Sequence, residues 1–142
     1  MEIEILHKFE IDEEAQFQIG ELYKQLNATT NQRPLHQILQ EDNHVIVAVC
    51  KEDNSIVGIA LLATYKVISG YRGMVEDVVV DAVHRGKGIG RKLMEKLLDE
   101  AKSRNLDEVL LFSGHHRKPA INLYKSLGFS LRESGIYNLK LH

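Results

Sequence analysis

The stretch Arg85-Gly86-Lys87-Gly88-Ile89-Gly90-Arg91 stands near the middle of a chain of 142 residues. The apolar run before it, residues 74–80, predicts a strand. The amphipathic pattern after it, residues 92–104, predicts a helix. The glycines therefore occupy a strand-to-helix turn, where the missing Cβ permits positive φ and lets a ligand approach the backbone.

Such a turn has the chemistry of an anion site. The first N–H groups of a helix lack partners inside the helix, and the positive end of the helix dipole lies beside them. Arg85, Lys87 and Arg91 add positive side chains. The combination suits a pyrophosphate.

Two common nucleotide motifs do not fit the stretch. A P-loop needs Gly-x-x-x-x-Gly-Lys followed by Ser or Thr, whereas Asp81 stands at the first glycine and Gly88 follows Lys87. The dinucleotide fingerprint Gly-x-Gly-x-x-Gly would need its third glycine at Arg91. A nucleotide phosphotransferase is therefore disfavoured.

The pattern that does fit is Arg-x-x-Gly-x-Gly, at Arg85, Gly88 and Gly90. It resembles the coenzyme A pyrophosphate loop of the GCN5-related N-acetyltransferase (GNAT) superfamily. Downstream, residues 120–129 are similar to the Ala-x-x-x-Tyr-x-x-x-Gly-Phe stretch of the same fold. The two motifs occur in the family's order, and together they cover about residues 75–129.

The resemblance implies an α/β fold in one domain, residues 1–142. Its sheet is mixed and mostly antiparallel, with a splayed parallel pair of central strands and helices on both faces. The patterns predict helices after Asp12 and Pro34, over residues 92–104 and from Pro119. They predict strands at residues 2–7, 45–50, 56–67, 71–80 and 108–113, and a last hairpin from 129–131 and 136–141.

The resemblance also implies how acetyl-CoA binds. The pantetheine arm pairs with the central strand, and Asn122 either bonds that arm or faces solvent. The expected cofactor-binding residues are Val78, Val79, Val80, Arg85, Gly86, Lys87, Gly88, Ile89, Gly90, Arg91, Asn122 and Tyr124. For Val78, Val79 and Val80 the backbone is the expected partner, and an ordinary core role of their side chains is compatible with this.

Two residues are expected to move protons. Tyr124 matches the family tyrosine that protonates the departing sulfur, although simple packing at a helix end is the alternative. Glu76 and Asp77 are adjacent carboxylates in an apolar strand, and regular alternation sends them to opposite faces. Glu76 is favoured as general base, directly or through water. Asp77 replaces it if the strand bulges and reverses the facing, and an ion pair with a basic neighbour is the structural alternative.

Composition limits the partners. The formal net charge is −2 and the pI is about 6.4, so the chain as a whole favours neither nucleic acid nor an anionic membrane. The single cysteine, Cys50, excludes an intrachain disulfide and a cysteine-rich zinc site. His115 and His116 lack an evident third ligand, so no metal is expected. Neither a leader nor an apolar run of about 18 residues is apparent, which predicts a cytoplasmic protein.

The function expected is transfer of an acetyl group from acetyl-CoA to a primary amine, by direct attack in a ternary complex. A small-molecule acceptor is favoured over a protein lysine or N-terminus, because no acid stands near Phe112, where some protein-modifying relatives carry a glutamate. Another departure is Arg117, at a position where many relatives have asparagine. A non-catalytic acyl-CoA-binding module is the second hypothesis, and the resemblance allows a homodimer.

Overall fold

The computed structural model of the chain describes residues 1–114 and 117–142. The strands are β1 (Glu2–Leu6), β2 (Val45–Glu52), β3 (Ser55–Val67), β4 (Gly70–Val80) and β5 (Glu108–Leu110). The helices are α1 (Glu13–Lys24), α2 (Leu35–Ile38), α3 (Ile89–Ser103) and α4 (Lys118–Ser126). Two short 3-10 turns span Lys8–Glu10 and Ala82–His84.

The sheet has the order β1-β2-β3-β4-β5. Its first four strands pair antiparallel as consecutive hairpins, and β4 pairs parallel with β5. The parallel pair follows from the connection, since a helix lies between these two strands in the chain. The predicted mixed sheet with one parallel pair is confirmed.

One face of the sheet is covered by α1 and α2. Asp12 begins α1 as predicted, because its side chain accepts a hydrogen bond of 2.8 Å from the N–H of Ala15. The apolar side chains of both helices join those of the strands in one buried cluster. Its members are Leu6, Ile19, Leu22, Leu35, Val47, Val49, Ile56, Ile59 and Val79.

The opposite face is covered by α3. Its predicted apolar stripe is buried, with Ile89, Leu93, Met94, Leu97 and Ala101 all at most 3% exposed. The start of α3 packs closely on β3 at Gly58. A Cβ at this position would lie 3.0 Å from Ile89 Cγ2 and 3.1 Å from Leu93 Cδ1. The predicted helices on both faces are confirmed.

The chain divides into two compact units, Met1–Phe112 and Ser113–His142. The first holds the whole sheet with α1, α2 and α3, and the second holds α4. The expectation of a single domain stays a prediction. None of the helices in the described ranges is long and apolar enough to cross a membrane.

Two predictions about the last third of the chain are wrong. β5 ends at Leu110 instead of Ser113, and the described residues after α4 form no strand where a hairpin was expected. The alternating apolar side chains there are exposed, Leu131 at 85% and Tyr137 at 95%. A two-stranded hairpin is marginal in water unless one face is buried. The pattern alone therefore does not produce the strands.

Candidate active site

The glycine stretch forms the turn that joins β4 to α3. After Val80 the chain passes through the 3-10 turn Ala82–His84 and reaches α3 at Ile89. Gly86 has φ +84° and Gly88 has φ +78°, left-handed values that favour glycine. Sequence reasoning placed the turn correctly but began the helix three residues late, because the stretch itself supplies its first turn.

The N-terminus of α3 is open. Gly88 is the N-cap and offers no side chain to the helix end. The first helical hydrogen bond runs from the N–H of Lys92 to the carbonyl of Gly88 (3.1 Å). The N–H groups of Ile89 and Gly90 precede that bond, so no carbonyl of the helix accepts from them. A Cβ on Gly88 would meet no atom within 4 Å, so the space beside the helix end is open.

Two of the positive side chains near the turn form long ion pairs. Lys87 Nζ lies 3.8 Å from Glu52 Oε2, and Arg91 Nε lies 3.7 Å from Glu95 Oε1. Both distances exceed those of a good hydrogen bond. The Lys87 and Arg91 side chains are themselves about half exposed, at 51% and 46%.

The strand before the turn has an open edge. Parallel pairing of β4 with β5 covers only Arg72, Gly73 and Met74. The last six residues of β4, 75–80, extend beyond it. This edge is where the resemblance implies that a pantetheine arm adds as a short strand.

The register shows which backbone groups of β4 face that edge. The N–H of Asp81 donates to the carbonyl of Val57 (2.8 Å), so these two residues form a hydrogen-bonded pair. Hydrogen-bonded and non-bonded pairs alternate along an antiparallel ladder, so Val79 bonds to β3 while Val80 directs its N–H and C=O to the open edge. Consistent with this, Arg85 Nε donates to the Val80 carbonyl from outside the ladder (3.1 Å).

A β-bulge shapes β4 at the two carboxylates. Val79 lies opposite Ile59 but Glu76 lies opposite Leu61, so two residues of β4 face one of β3. Asp77 sits in the bulge with φ +51°, a strained value for a residue with a side chain. Opposed residues share a face. Glu76 therefore lies on the face of Leu61, which packs against the α1–α2 cluster.

Both carboxylates have perturbed acidity. Burial raises the pKa of Glu76 above its ordinary value, and the neighbouring charge of Asp77 raises it further. Burial also raises the pKa of Asp77. Within residues 1–114 and 117–142 neither carboxylate forms an ion pair with a basic side chain. The ion-pair alternative thus has no support among the described residues.

The second unit carries the tyrosine motif. α4 holds Asn122, which is exposed, and Tyr124, which is half-buried. The Tyr124 ring meets the edge of Phe129 at a centroid distance of 6.2 Å, and the N–H of Phe129 donates to the Tyr124 carbonyl (3.0 Å). Burial raises the pKa of Tyr124, and the charge of Arg117 opposes the rise. The phenol is therefore protonated at neutral pH.

Sequence reasoning missed the polar residues around the start of the turn. Gln25, at the end of α1, bonds to Asp81 and to the N–H of Ala82. No local pattern signals this contact, because 56 residues separate Gln25 from Asp81. Among the described residues no group of histidine, cysteine, aspartate and glutamate could hold a metal ion. His115 and His116 lie outside the described residues.

Comparison with known proteins identifies the family. Two curated relatives are a methionine sulfoximine and methionine sulfone acetyltransferase of Salmonella typhimurium, 34% identical over 60% of this chain, and an L-amino acid N-acyltransferase of Escherichia coli, 33% identical over 58%. The aligned regions cover 50% and 49% of these relatives, so the chain spans about half their length.

The fold agrees with solved structures. An aminoglycoside acetyltransferase from an uncultured soil metagenomic sample superimposes with a TM-score of 0.80 at 22% identity, covering 98% of this chain and 96% of that one. The family model described as "Acetyltransferase (GNAT) family" matches residues 6–129. The chain therefore belongs to the GNAT acetyltransferase family.

Proposed function

We propose that the protein is an N-acetyltransferase that moves the acetyl group of acetyl-CoA to a primary amine of a small molecule. The observation that carries the proposal is the open N-terminus of α3, which continues directly from the open edge of β4. The N-terminus of α3 offers N–H groups and positive side chains to a pyrophosphate. The edge of β4 offers backbone groups to an amide-bearing arm.

Each part of coenzyme A has a partner in this arrangement. The pyrophosphate lies at the N–H groups of residues 88–90, and Arg85, Lys87 and Arg91 neutralise its charge. The backbone of Val78 and Val80 binds the pantetheine arm, while Val79 stays bonded to β3. The thioester then lies near the bulge, with Glu76 and Asp77 beside it.

The chemistry requires two proton movements. The amine must be neutral to attack the thioester carbon, although alkyl amines titrate near ~10.4. Glu76 accepts the amine proton, directly or through a water, and its raised pKa brings it closer to the working range. The C–N bond forms, the C–S bond breaks, and Tyr124 gives its proton to the departing thiolate. The family supplies the last role, and the raised pKa of Tyr124 keeps that proton in place beforehand.

The names of the relatives support the proposed acceptor class. The two curated proteins are named for action on amino acids or their analogues. Their names support a small amine over a protein lysine, as does the missing acid near Phe112. A homodimer and a cytoplasmic location remain predictions.

Turnover with a panel of amines tests the function. Amino acids, amino-acid analogues, aminoglycosides and a lysine peptide are offered with acetyl-CoA, and the released thiol is measured. We expect release that depends on a small amine. Preference for the lysine peptide would indicate that the acceptor is a protein. Tight acetyl-CoA binding without turnover would indicate a non-catalytic acyl-CoA-binding module instead.

Tyr124→Phe tests the proposed acid. A positioned proton donor typically contributes about 10²–10⁴ in rate. We therefore expect kcat to fall by about that factor while acetyl-CoA affinity is kept. Tyr137→Phe is the matched control, because Tyr137 is 95% exposed in the same unit. Equal turnover of the two variants, where chemistry limits the rate, would reject the role of Tyr124.

A further inference from the structure

The beginning of the cofactor turn is held by a side chain from the far end of α1. Gln25 makes two hydrogen bonds to it. Its Nε2 donates to Asp81 Oδ1 (3.0 Å), and its Oε1 accepts from the N–H of Ala82 (2.9 Å). One amide thus fixes a side chain and a backbone group at the point where β4 ends.

A second contact engages the other oxygen of Asp81. His84 Nδ1 lies 3.1 Å from Asp81 Oδ2, and His84 Nε2 lies 3.1 Å from Glu52 Oε2 at the end of β2. Asp81 is therefore shared between α1 and the turn, and we refer to Gln25, Asp81 and His84 as the polar bracket.

No side chain of residues 81–88 is buried. Val83 is 81% exposed, and the 3-10 turn Ala82–His84 has no buried residue. The first strongly buried side chain is Ile89, five residues after His84. Apolar packing thus fixes the end of the turn, and hydrogen bonds fix its beginning.

We propose that Gln25 and Asp81 are positioning residues that hold the turn in the conformation that binds the coenzyme A pyrophosphate. The inference rests on the proposed function. A binding-competent conformation that is only partly populated weakens apparent affinity by its population. The bracket raises that population without touching the cofactor, so its loss weakens coenzyme A binding and leaves the chemical step unchanged.

The first test compares two glutamines of α1. Gln25→Leu removes both hydrogen bonds that Gln25 makes to the turn. Gln16→Leu is its matched control, because Gln16 Oε1 also accepts from a backbone N–H, that of Leu35 (2.7 Å), away from the turn. Calorimetry with coenzyme A should show a dissociation constant about 3- to 10-fold higher for Gln25→Leu, as expected from the loss of about one net hydrogen bond. Gln16→Leu should bind as the original protein does.

The second test uses loss and rescue at Asp81. Asp81→Ala removes both acceptors and should weaken coenzyme A binding by a similar factor. Asp81→Asn keeps a side-chain oxygen that can accept from Gln25 Nε2, so it should restore most of the affinity. With an amine that turns over, Asp81→Ala should raise the KM for acetyl-CoA and leave kcat at saturation unchanged.

The outcomes separate this inference from the proposed function. If the unaltered protein fails to bind coenzyme A, the proposed function is wrong. If it binds and Gln25→Leu binds equally well, the bracket does not position the turn. An equal loss in Gln16→Leu, or a fall in kcat without a change in KM, would show general destabilisation and overturn the inference. The Asp81 pair decides the matter independently should Gln25→Leu fail to fold.

Discussion

The two ends of the β4–α3–β5 segment are built in opposite ways. At the closed end, residues 70–74 and 104–110, backbone groups are paired. Asp107 exchanges N–H···O bonds with Tyr71 through its backbone (2.7 Å) and its side chain (2.8 Å). At the open end, residues 75–91, β4 extends beyond its parallel partner and the first N–H groups of α3 have no helical acceptor.

A residue in the left-handed conformation flanks each end of α3. Gly88 at the start of α3 and Asn105 after its end both have left-handed φ, +78° and +63°. After Asn105 the N–H of Leu106 returns to the carbonyl of Ala101 (3.0 Å) and closes the helix. After Gly88 no such closure occurs. The open terminus beside the open strand edge is the site proposed for coenzyme A, whereas the closed terminus belongs to the scaffold.

The largest effect is expected at the open end, from Glu76→Gln. The change keeps the size of the side chain and removes the base. Turnover at neutral pH should fall by about 10²–10⁴, the usual contribution of a positioned general base. Activity should recover partly at alkaline pH, as free amine becomes available. A rate equal to that of the original protein across the pH range would exclude Glu76, and Asp77→Asn would then be measured in the same way.

The raised pKa of Glu76 also predicts the direction in which Glu76→Gln changes the free energy of unfolding. The folded state holds the Glu76 proton more tightly than the unfolded state, so this group lowers stability as pH rises from the ordinary glutamate pKa through the raised one. Above that window Glu76→Gln should therefore be slightly more stable than the original protein. Urea unfolding at pH 4 and pH 7 measures the difference. A less stable variant at pH 7 would contradict the assigned cause.

The second prediction concerns the binding function of the open end. Gly88→Val places a branched side chain in the space beside the N-terminus of α3 and strains a left-handed backbone. Loss of two hydrogen bonds to a charged group corresponds to about 10²-fold or more in affinity. Calorimetry with acetyl-CoA, on protein shown by circular dichroism to be folded, measures it. Unchanged affinity would show that acetyl-CoA does not bind at this turn.

The third prediction compares two buried side chains of α3, Ile89 at the open end and Leu97 toward the closed end. Each is 1% exposed. Truncation of either to alanine should lower the free energy of unfolding by about 2–5 kcal/mol. Only Ile89→Ala should also weaken coenzyme A binding, because Ile89 anchors the end of the turn against β3. Equal weakening in Leu97→Ala would mean that affinity follows global stability and not local geometry.

The sequence predicts the closed end and the first unit better than the last third of the chain. The period of Ile89, Leu93 and Leu97 specifies α3 because burial of one stripe drives the helix. The continuous apolar runs of β2 and β3 specify strands whose central residues are buried on both faces. The apolar alternation of residues 129–141 predicts a hairpin that is absent, because alternation reports what a strand would bury and not whether a partner edge is present.

The candidate site, too, could be predicted from the sequence only in part. Its glycines and cations can be read directly, since turn geometry and anion chemistry both act locally. The β-bulge at Asp77 was anticipated only as an alternative, because one extra residue in β4 leaves no mark in the composition. The bracket of Gln25, Asp81 and His84 could not be predicted, since it joins residues far apart in the chain through single hydrogen bonds.

The smallest effect is expected from Asn105→Val, which tests whether the two ends are functionally distinct. A β-branched residue at φ +63° stores about 1–3 kcal/mol of strain, so the free energy of unfolding should fall by about that amount. Coenzyme A affinity should stay the same, because Asn105 lies at the opposite end of α3 from the turn. Asn105→Gly supplies the control, since glycine adopts this conformation without strain and should keep stability close to the original. Both quantities come from one set of urea titrations and one set of calorimetric titrations. If Asn105→Val weakens coenzyme A binding as much as Gly88→Val does, strain anywhere in α3 is sufficient, and the effect at Gly88 no longer identifies the open end as the binding site.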